Sequence, residues 1–271
     1  MKLLALTVVL LLAIGGAATR ILSTTPPVTH VVLIMEENHT EAQALAGMPY
    51  LKSLAQQYGY ASAMTALHYP SLPNYITLTS GSVPAGIAGK DCTPSASCED
   101  TGASIFSQAS WQVWAEAMPK PCDKSNAGLY APRHTAGPYY TQVAAACPKN
   151  DIPLPANPSV SAAFTLVAPD LNDDAHNGSL GQADAWLKTF IPKIEAADTL
   201  IEVTFDSGSN NCGANCPSSV LAVFINPAIN HAVLAEKTTH CSILRLNEEL
   251  LGVPLLGCAA TAPDLRGGLG L

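Results

Sequence analysis

The sequence predicts an α/β fold in which helices flank a mainly parallel central sheet, because strand-like apolar runs alternate with helical segments. The runs Val31–Met35, Phe164–Ala168 and Leu200–Phe205 are apolar and rich in β-branched residues, which is typical of strands buried on both faces. A fourth run spans Val220–Ile225. Polar residues follow each of the first three runs. Because ligands of open α/β sheets bind at the carboxyl edge of the strands, we expect a functional site there.

The beginning of the 271-residue chain has the pattern of an export signal. A charged start, Met1-Lys2, precedes an apolar run over Leu3–Ile14, and small residues lead to Ala18. We therefore expect a signal peptide over 1–18, a lead-in over 19–28 and one domain over 29–271. The apolar run is too short to span a bilayer stably, so we expect secretion to the periplasm or outside without stable membrane insertion. A retained N-terminal anchor is the alternative.

Eight cysteines follow the signal-like segment, and an even count in that context predicts disulfides formed in an oxidising compartment. Cys212 and Cys216 have the spacing of half a zinc site, but no second pair lies at ligand spacing, so a disulfide is favoured there too. Sequence alone leaves the connectivity open. Proximity suggests the pairs Cys92–Cys98, Cys122–Cys147, Cys212–Cys216 and Cys241–Cys258.

The charge of the chain argues against nucleic acid as a partner. Its formal net charge is −8, only 13% of residues are charged, and no cluster of Lys or Arg occurs. An anionic substrate would therefore have to be captured locally, by a metal ion, histidines and a helix dipole.

The stretch from His68 to Gly81 places a hydroxyl at the start of a short predicted helix. Pro73 suits a first helical turn, and Gly81 suits the end of the helix. Backbone N–H groups at a helix start attract anions, so Ser71 is a candidate nucleophile beside an anion site. The alternative is that Ser71 only caps the helix.

The remaining segments complete the predicted order of elements. Residues 82–104 are predicted to form a loop held by its own cysteines, and residues 119–159 a long irregular stretch. Trp111, Trp114 and Trp186 are expected to serve packing. Helices are predicted through Leu45–Ala55, over 105–118 with Trp111 and Trp114, from Asp184 onwards, and over Ser242–Leu251 after His240.

Several blocks of the sequence, in this order, are similar to one known family. They are residues 31–39, 68–81, 169–176 with 184–187, 203–206 and 240–245. The chain resembles the secreted phosphoesterases of the alkaline phosphatase superfamily, which include bacterial acid phosphatases and phospholipase C enzymes. Only the block around Ser71 is specific; the others are weak alone. The short chain looks most like the single-domain acid phosphatases, some of which act on phosphoinositides.

This resemblance implies a role for each candidate residue. Ser71 would be the nucleophile that takes the phosphoryl group, and a divalent metal ion would activate it. An oxygen-rich ligand shell favours a hard or borderline ion. His176 and His240 would be catalytic, with His240 binding phosphate or protonating the leaving oxygen. The implied metal ligands are Glu37, Asn38, Ser71 and Asp206, and the implied phosphate-binding residues are Asn74 and His134.

Two positions depart from the family pattern. Ser207 stands where many relatives carry a second carboxylate, which puts metal affinity or activity in doubt. Asp170 stands where these phosphatases more often have Asn. Asp170 and Asp174 leave open a second metal site near His176 and His240.

The sequence therefore favours a secreted, metal-dependent phosphomonoesterase that acts through a phosphoserine on a small phosphorylated substrate, with a phosphoinositide headgroup as one candidate. A phospholipase C-like phosphodiesterase and a non-catalytic binding protein with the same fold are the alternatives. Structural roles also remain open for the site residues. Glu37 and Asn38 could cap the next helix, Asp206 could be a turn residue, and His176 could be a solvated loop residue.

Overall fold

The structure is a computed structural model that describes residues 26–208 and 218–271. The predicted signal peptide over 1–18, most of the lead-in and the predicted Cys212–Cys216 disulfide lie outside the described residues.

A central sheet organises the described part of the chain and confirms the predicted α/β fold. Its eight strands lie in the order β5-β4-β6-β1-β7-β8-β2-β9, and a separate pair joins β3 and β10. The five strands from β5 to β7 run parallel, whereas β8 is antiparallel to both β7 and β2. The strands are β1 (His30–Glu36), β2 (Gly59–Ala61), β3 (Met64–Thr65), β4 (Trp111–Ala115), β5 (Asp151–Pro153), β6 (Phe164–Ala168), β7 (Thr199–Phe205), β8 (Ala222–Ile225), β9 (Ala232–Leu234) and β10 (Thr238–Thr239).

Helices cover the sheet in two groups. The helices are α1 (Glu41–Gly47), α2 (Pro49–Gln57), α3 (Ser71–Ser80), α4 (Ile105–Gln108), α5 (Cys147–Asn150), α6 (Leu180–Phe190), α7 (His240–Leu251) and α8 (Arg266–Leu269). Helices α1, α2 and α6 pack together, and α3 packs against α7. Single 3₁₀ turns, among them Pro132–His134, punctuate the long irregular stretch that the sequence predicts.

Strand β1 lies at the centre of the sheet between β6 and β7. All of its residues from Val31 to Glu36 are buried, as the continuous apolar run predicts for a strand covered on both faces. The central position brings the residues after β1 beside those after β6 and β7.

The predicted helix over 105–118 is wrong. Only Ile105–Gln108 is helical, and Trp111–Ala115 forms β4, which pairs with β5 and β6. Trp and Val favour strands, and pairing on both sides outweighs the helix-like spacing of Trp111 and Trp114. Both tryptophans are buried, as expected for packing residues.

Disulfides join Cys92 to Cys98, Cys122 to Cys147 and Cys241 to Cys258, which confirms three predicted pairs. Such bonds are typical of proteins outside the reducing cytosol. None of the helices in the described ranges has the length and apolar character needed to cross a membrane.

Candidate active site

Three strand ends bring the predicted residues to one edge of the sheet. Glu37 follows β1, Asp174 lies in the turn after β6, and Asp206 follows β7. Backbone bonds fix the junction: the Glu37 N–H donates to the Asp174 carbonyl at 2.7 Å, and the Asp206 N–H donates to the Glu36 carbonyl at 3.1 Å. The parallel register therefore converts residues far apart in sequence into neighbours.

Ser71 is the first residue of α3, as the sequence predicts, and Gly81 ends that helix in a left-handed conformation with φ of 70°. The Ser71 hydroxyl donates to Glu37 Oε2 at 2.9 Å. Pro70 is the N-cap residue and supplies no side-chain cap, so Ser71 is not a cap. The seryl oxygen instead points at a carboxylate of the site.

The Glu37 carboxylate is buried, accepts one further hydrogen bond and lies against a histidine ring. The Tyr75 hydroxyl donates to Oε1 at 2.7 Å, and His134 Nε2 lies 3.2 Å from the same oxygen. The rings of Tyr75 and His134 stack with centroids 5.3 Å apart. The carboxylate is thus fixed in the orientation that meets Ser71.

Asn38 donates hydrogen bonds to Asp206 and to the next residue, Ser207. Its backbone N–H donates to Asp206 Oδ1 at 3.1 Å, and its Nδ2 donates to both Asp206 oxygens and to Ser207 Oγ at 3.1 to 3.3 Å. Asn38 has a φ of +48°, a conformation that Asn tolerates better than most residues. Capping is excluded for Glu37 and Asn38, because Thr40 caps α1 in a capping box with Gln43.

The oxygens of these residues fit a divalent cation. Asn38 Oδ1 is buried and has no hydrogen-bond partner. Glu37 and Asp206 are fully buried, and no Lys or Arg within 26–208 and 218–271 forms an ion pair with either. Carboxylate, amide and hydroxyl oxygens are donors that hard and borderline divalent ions prefer. The donor chemistry and burial of Asn38, Glu37 and Asp206 therefore fit a divalent ion.

The electrostatics of the cluster point the same way. Burial, followed by the charges of Asp206 and Asp174, raises the pKa of Glu37 well above its usual value. Burial also raises the pKa of Asp174 to about 8, and burial together with Arg133 lowers the pKa of His134 to about 3. The protein alone thus disfavours the accumulation of negative charge here, and a bound cation would relieve that cost.

His134 lies between two of the carboxylates. Its Nδ1 lies 3.2 Å from Asp174 Oδ2 while its Nε2 faces Glu37. Because the ring is 3% exposed, a substrate contact would need the ring to leave one carboxylate. The geometry supports positioning of Glu37 more directly than the phosphate binding predicted for His134.

His176 lies at the rim of the site. Its backbone N–H donates to Asp174 Oδ1 at 2.7 Å, and its Nε2 lies 3.4 Å from an Arg133 Nη2. The ring is partly exposed, 5.7 Å from the ring of His134. His176 is therefore anchored within the site and differs from a freely solvated loop residue.

His240 and Asn74 are placed differently from the sequence expectation. His240 is fully buried, and its Nε2 contacts the Phe205 carbonyl at 3.0 Å. Asn74 is also fully buried, and its amide exchanges two hydrogen bonds with the backbone of His68 at 2.8 and 3.0 Å. His240 Nε2 thus contacts the end of the strand before Asp206, and the Asn74 amide fixes the segment before Ser71.

The structure does not assemble the second metal site suggested for Asp170 and Asp174. Asp170 Oδ1 accepts the N–H groups of Asn172 and Asp173 at 2.8 and 3.1 Å, so it closes the turn after β6. The carboxylates that gather around Asp170 are those of Glu116 and Asp173, whereas Asp174 faces His134.

Sequence reasoning missed the supporting residues. Tyr75 and Arg133 lie beside predicted residues in the chain, but their contacts depend on the fold. Asp91 accepts the Leu72 N–H at 2.9 Å from the disulfide-held loop. Asp184 accepts the N–H groups of Tyr50 and Leu51 at 2.9 Å, so it supports the start of α2 and not the chemistry.

Comparison with solved structures identifies the fold. The chain superposes on the crystal structure of a protein in the alkaline phosphatase superfamily from Vibrio parahaemolyticus with a TM-score of 0.63 and 14% identity, over 90% of this chain and 72% of that one. The chain has the alkaline phosphatase superfamily fold. A phosphonate monoester hydrolase from Silicibacter pomeroyi shares this fold with a TM-score of 0.50 and 13% identity, over 89% of this chain and 76% of that one.

The sequence of a curated relative is consistent with this fold. A phosphatidylinositol-3-phosphatase from Mycobacterium tuberculosis is 27% identical over 254 residues, which cover 90% of this chain and 83% of that protein. No protein-family model matches the chain. The alkaline phosphatase superfamily fold and this relative together support a phosphoesterase of the superfamily.

Proposed function

We propose that the protein is a metal-dependent phosphomonoesterase that works through a phosphoserine at Ser71. The coarser statement, a hydrolase of phosphoric esters, is supported by the fold and by the phosphatase relative. The observation that carries the finer proposal is the 2.9 Å hydrogen bond from Ser71 to a buried carboxylate beside Asn38 and Asp206. A serine that served only packing would not need this costly arrangement of charges.

The proposed ligands of the divalent ion are Glu37, Asn38, Ser71 and Asp206. The ion would neutralise the buried carboxylates, polarise a phosphoryl oxygen and lower the pKa of the seryl hydroxyl. The unpartnered Oδ1 of Asn38 supports this assignment. Ser207 contributes a neutral hydroxyl beside Asn38, so the site holds one negative charge less than a site with two adjacent carboxylates.

Ser71 is oriented for attack by its hydrogen bond to Glu37. Its Oγ forms the bond to phosphorus, the ester P–O bond breaks, and the seryl proton passes to Glu37 Oε2. A water molecule then attacks the phosphoserine, phosphate leaves, and Ser71 recovers its proton.

His176 is the proposed proton donor to the leaving oxygen. It is partly exposed at the rim and anchored by Asp174. Buried His240 lacks access to a substrate in this structure, so its proposed task is to support the Asp206 strand end.

The proposed substrate is a small phosphorylated molecule, with a phosphoinositide headgroup as the specific candidate. The phosphatidylinositol-3-phosphatase relative supports that candidate. We also propose that the chain is exported, with 1–18 as the signal, 19–28 as the lead-in and 29–271 as one domain; the three disulfides support an oxidising destination.

The test is hydrolysis of p-nitrophenyl phosphate and of its phenyl diester by purified protein, with and without EDTA. We expect turnover of the monoester and its loss with EDTA. Ser71→Ala should lower turnover about 10³-fold or more while circular dichroism is unchanged. Ser80→Ala is the matched control, because Ser80 is a buried serine of the same helix that bonds to Ile76 and not to Glu37.

The outcomes separate the alternatives. Preference for the diester would favour a phosphodiesterase, and no turnover with any divalent ion would favour a binding protein. A Ser71→Ala variant as active as Ser80→Ala would refute the phosphoserine mechanism.

A further inference from the structure

An aspartate from outside the catalytic motif occupies the start of the nucleophile helix. Asp91 Oδ1 accepts the Leu72 N–H at 2.9 Å, one residue after Ser71. Pro70 offers no side-chain cap, so Asp91 takes that place from 19 residues further along the chain. A free N–H at this position would attract an anion, because the positive end of the helix dipole lies there.

Asp91 also faces the cationic side chain of the site. Its Oδ2 lies 3.7 Å from Arg133 Nε, and the Arg133 guanidinium lies 3.4 Å from His176 Nε2. The distance to Asp91 exceeds that of a hydrogen bond, and the Arg133 side chain is 18% exposed. The guanidinium therefore keeps donors that can turn to another anion.

The loop that carries Asp91 is firmly held. Cys92 is joined to Cys98, and the Cys92 carbonyl accepts the Tyr139 hydroxyl at 2.7 Å. The Asp91 side chain itself is 33% exposed. Rotation of that side chain alone can therefore free the Leu72 N–H without movement of the loop backbone.

A carboxylate at the start of α3 would repel the anionic substrate of the proposed enzyme. Glu37, Asp174 and Asp206 already give the site three acidic side chains, and Asp91 adds a fourth on the side of the helix start. Its two partners, a helix N–H and a guanidinium, are the donors that phosphate oxygens use.

We propose that Asp91 is a resting occupant of the phosphate position, and that the phosphate group displaces its carboxylate from Leu72 N–H and Arg133 when it binds. This inference rests on the proposed function. In this arrangement, Arg133 changes partner from Asp91 to phosphate, and the returning Asp91 carboxylate helps to expel the phosphate product. Asp91 therefore sets affinity for phosphate without taking part in bond making.

The test is calorimetric titration of metal-loaded protein with inorganic phosphate, together with steady-state kinetics on p-nitrophenyl phosphate. Asp91→Asn keeps an oxygen for the Leu72 N–H but removes the charge. We expect the Kd for phosphate and the KM to fall about three- to fivefold, the size typical of partly exposed charges, with no gain in kcat. Asp264→Asn is the control for net charge, because Asp264 is an exposed aspartate that also accepts a backbone N–H.

The opposite sign overturns the inference. If Asp91 only caps the helix or positions Arg133, Asp91→Asn will leave phosphate affinity unchanged or weaken it. Arg133→Gln leaves the Asp91 cap in place and should weaken phosphate binding; unchanged binding would also overturn the proposal. If the wild type shows no turnover, only the proposed function is contradicted. Titration with phosphate still measures the effect of Asp91 on phosphate affinity.

Discussion

At the scale of single residues, the carboxylate of Glu37 is the point at which the site is organised. Ser71 donates to Oε2 and Tyr75 donates to Oε1, and His134 Nε2 lies 3.2 Å from Oε1. A carboxylate with this many partners has little freedom to rotate, so the groups that hold it affect a metal ion without touching it.

Tyr75→Phe should weaken metal binding about tenfold, because the loss of an outer hydrogen bond loosens the orientation of Glu37. Calorimetric titration with divalent ions measures the effect. Tyr130→Phe is the control, since Tyr130 is also a buried tyrosine whose hydroxyl donates, in its case to the Asp123 carbonyl at 2.6 Å. Equal metal affinity in Tyr75→Phe and Tyr130→Phe would show that Glu37 needs no support from Tyr75.

Ser207→Asp should tighten metal binding, because it places a second carboxylate directly after Asp206, as many relatives have. Ser207 is buried, and its Oγ already accepts from Asn38 Nδ2 at 3.1 Å, so position 207 faces the proposed ligands. Metal titration of Ser207→Asp and of the control Ser207→Ala tests this charge effect. If both variants bind metal as the wild type does, the charge at 207 is irrelevant to the ion.

The residues that sequence reasoning found are those within recognisable motifs or directly after predicted strands. Glu37, Asn38, Ser71 and Asp206 belong to this group. Asp91 was missed because its contact with Leu72 depends on a loop path. The burial of His240 was missed for a similar reason, since a helix start gives no sign of the strand end that packs over it.

At the scale of elements, α3 joins the site to the C-terminal segment. Gly81 ends α3 with φ of 70°, and its carbonyl accepts the Cys258 N–H at 2.8 Å. A side chain on Gly81 would collide with the Leu256 carbonyl. This end of α3 therefore requires glycine both for conformation and for space.

Gly81→Ala should destabilise the protein more than Gly252→Ala. Gly252 ends α7 with a similar φ of 67°, but an added methyl group there would meet open space. Gly252→Ala should cost about 1 kcal/mol for the left-handed conformation alone, and Gly81→Ala about 2 kcal/mol more for the clash. Urea unfolding of both variants measures the difference. Equal losses would mean that the Leu256 segment moves away freely.

Element prediction succeeded where local signals agree. Pro73 and Gly81 bound α3, and apolar runs mark β1, β6 and β7. It failed at Trp111–Ala115, where spacing suggested a helix but neighbouring strands from residues 151–168 supply the hydrogen bonds. Such pairing is set by tertiary structure, which a local pattern does not contain.

At the scale of the whole molecule, the sheet buries ionisable groups outside the site as well. Glu202 of β7 accepts from Asn247 Nδ2 of α7 at 3.0 Å and is 1% exposed. Burial raises the pKa of Glu202 to about 8. The folded protein therefore holds this proton at pH values at which the unfolded chain releases it.

The contribution of Glu202 to the free energy of unfolding should fall as pH rises from about 4.5 to about 8, because over that range this carboxyl holds its proton in the folded protein and releases it in the unfolded chain. Glu202→Gln should flatten this fall by up to about 4 kcal/mol. Urea unfolding at several pH values is the measurement, and exposed Glu236→Gln is the control. A pH slope that is the same in both variants would place the titration elsewhere.

The central position of β1 has a consequence for the order in which the molecule forms. β1 is the first strand of the described chain, yet Val31 pairs with Phe164 on one side and with Leu200 on the other. A ribosome must therefore release more than half of the chain before β1 acquires either neighbour, and contacts this distant in sequence slow folding. Until then, the apolar segment from Val31 to Met35 has no strand to cover it and needs protection from aggregation. The site is among the last features to form, because Glu37 and Asn38 come beside Asp206 only when β7 has paired with β1.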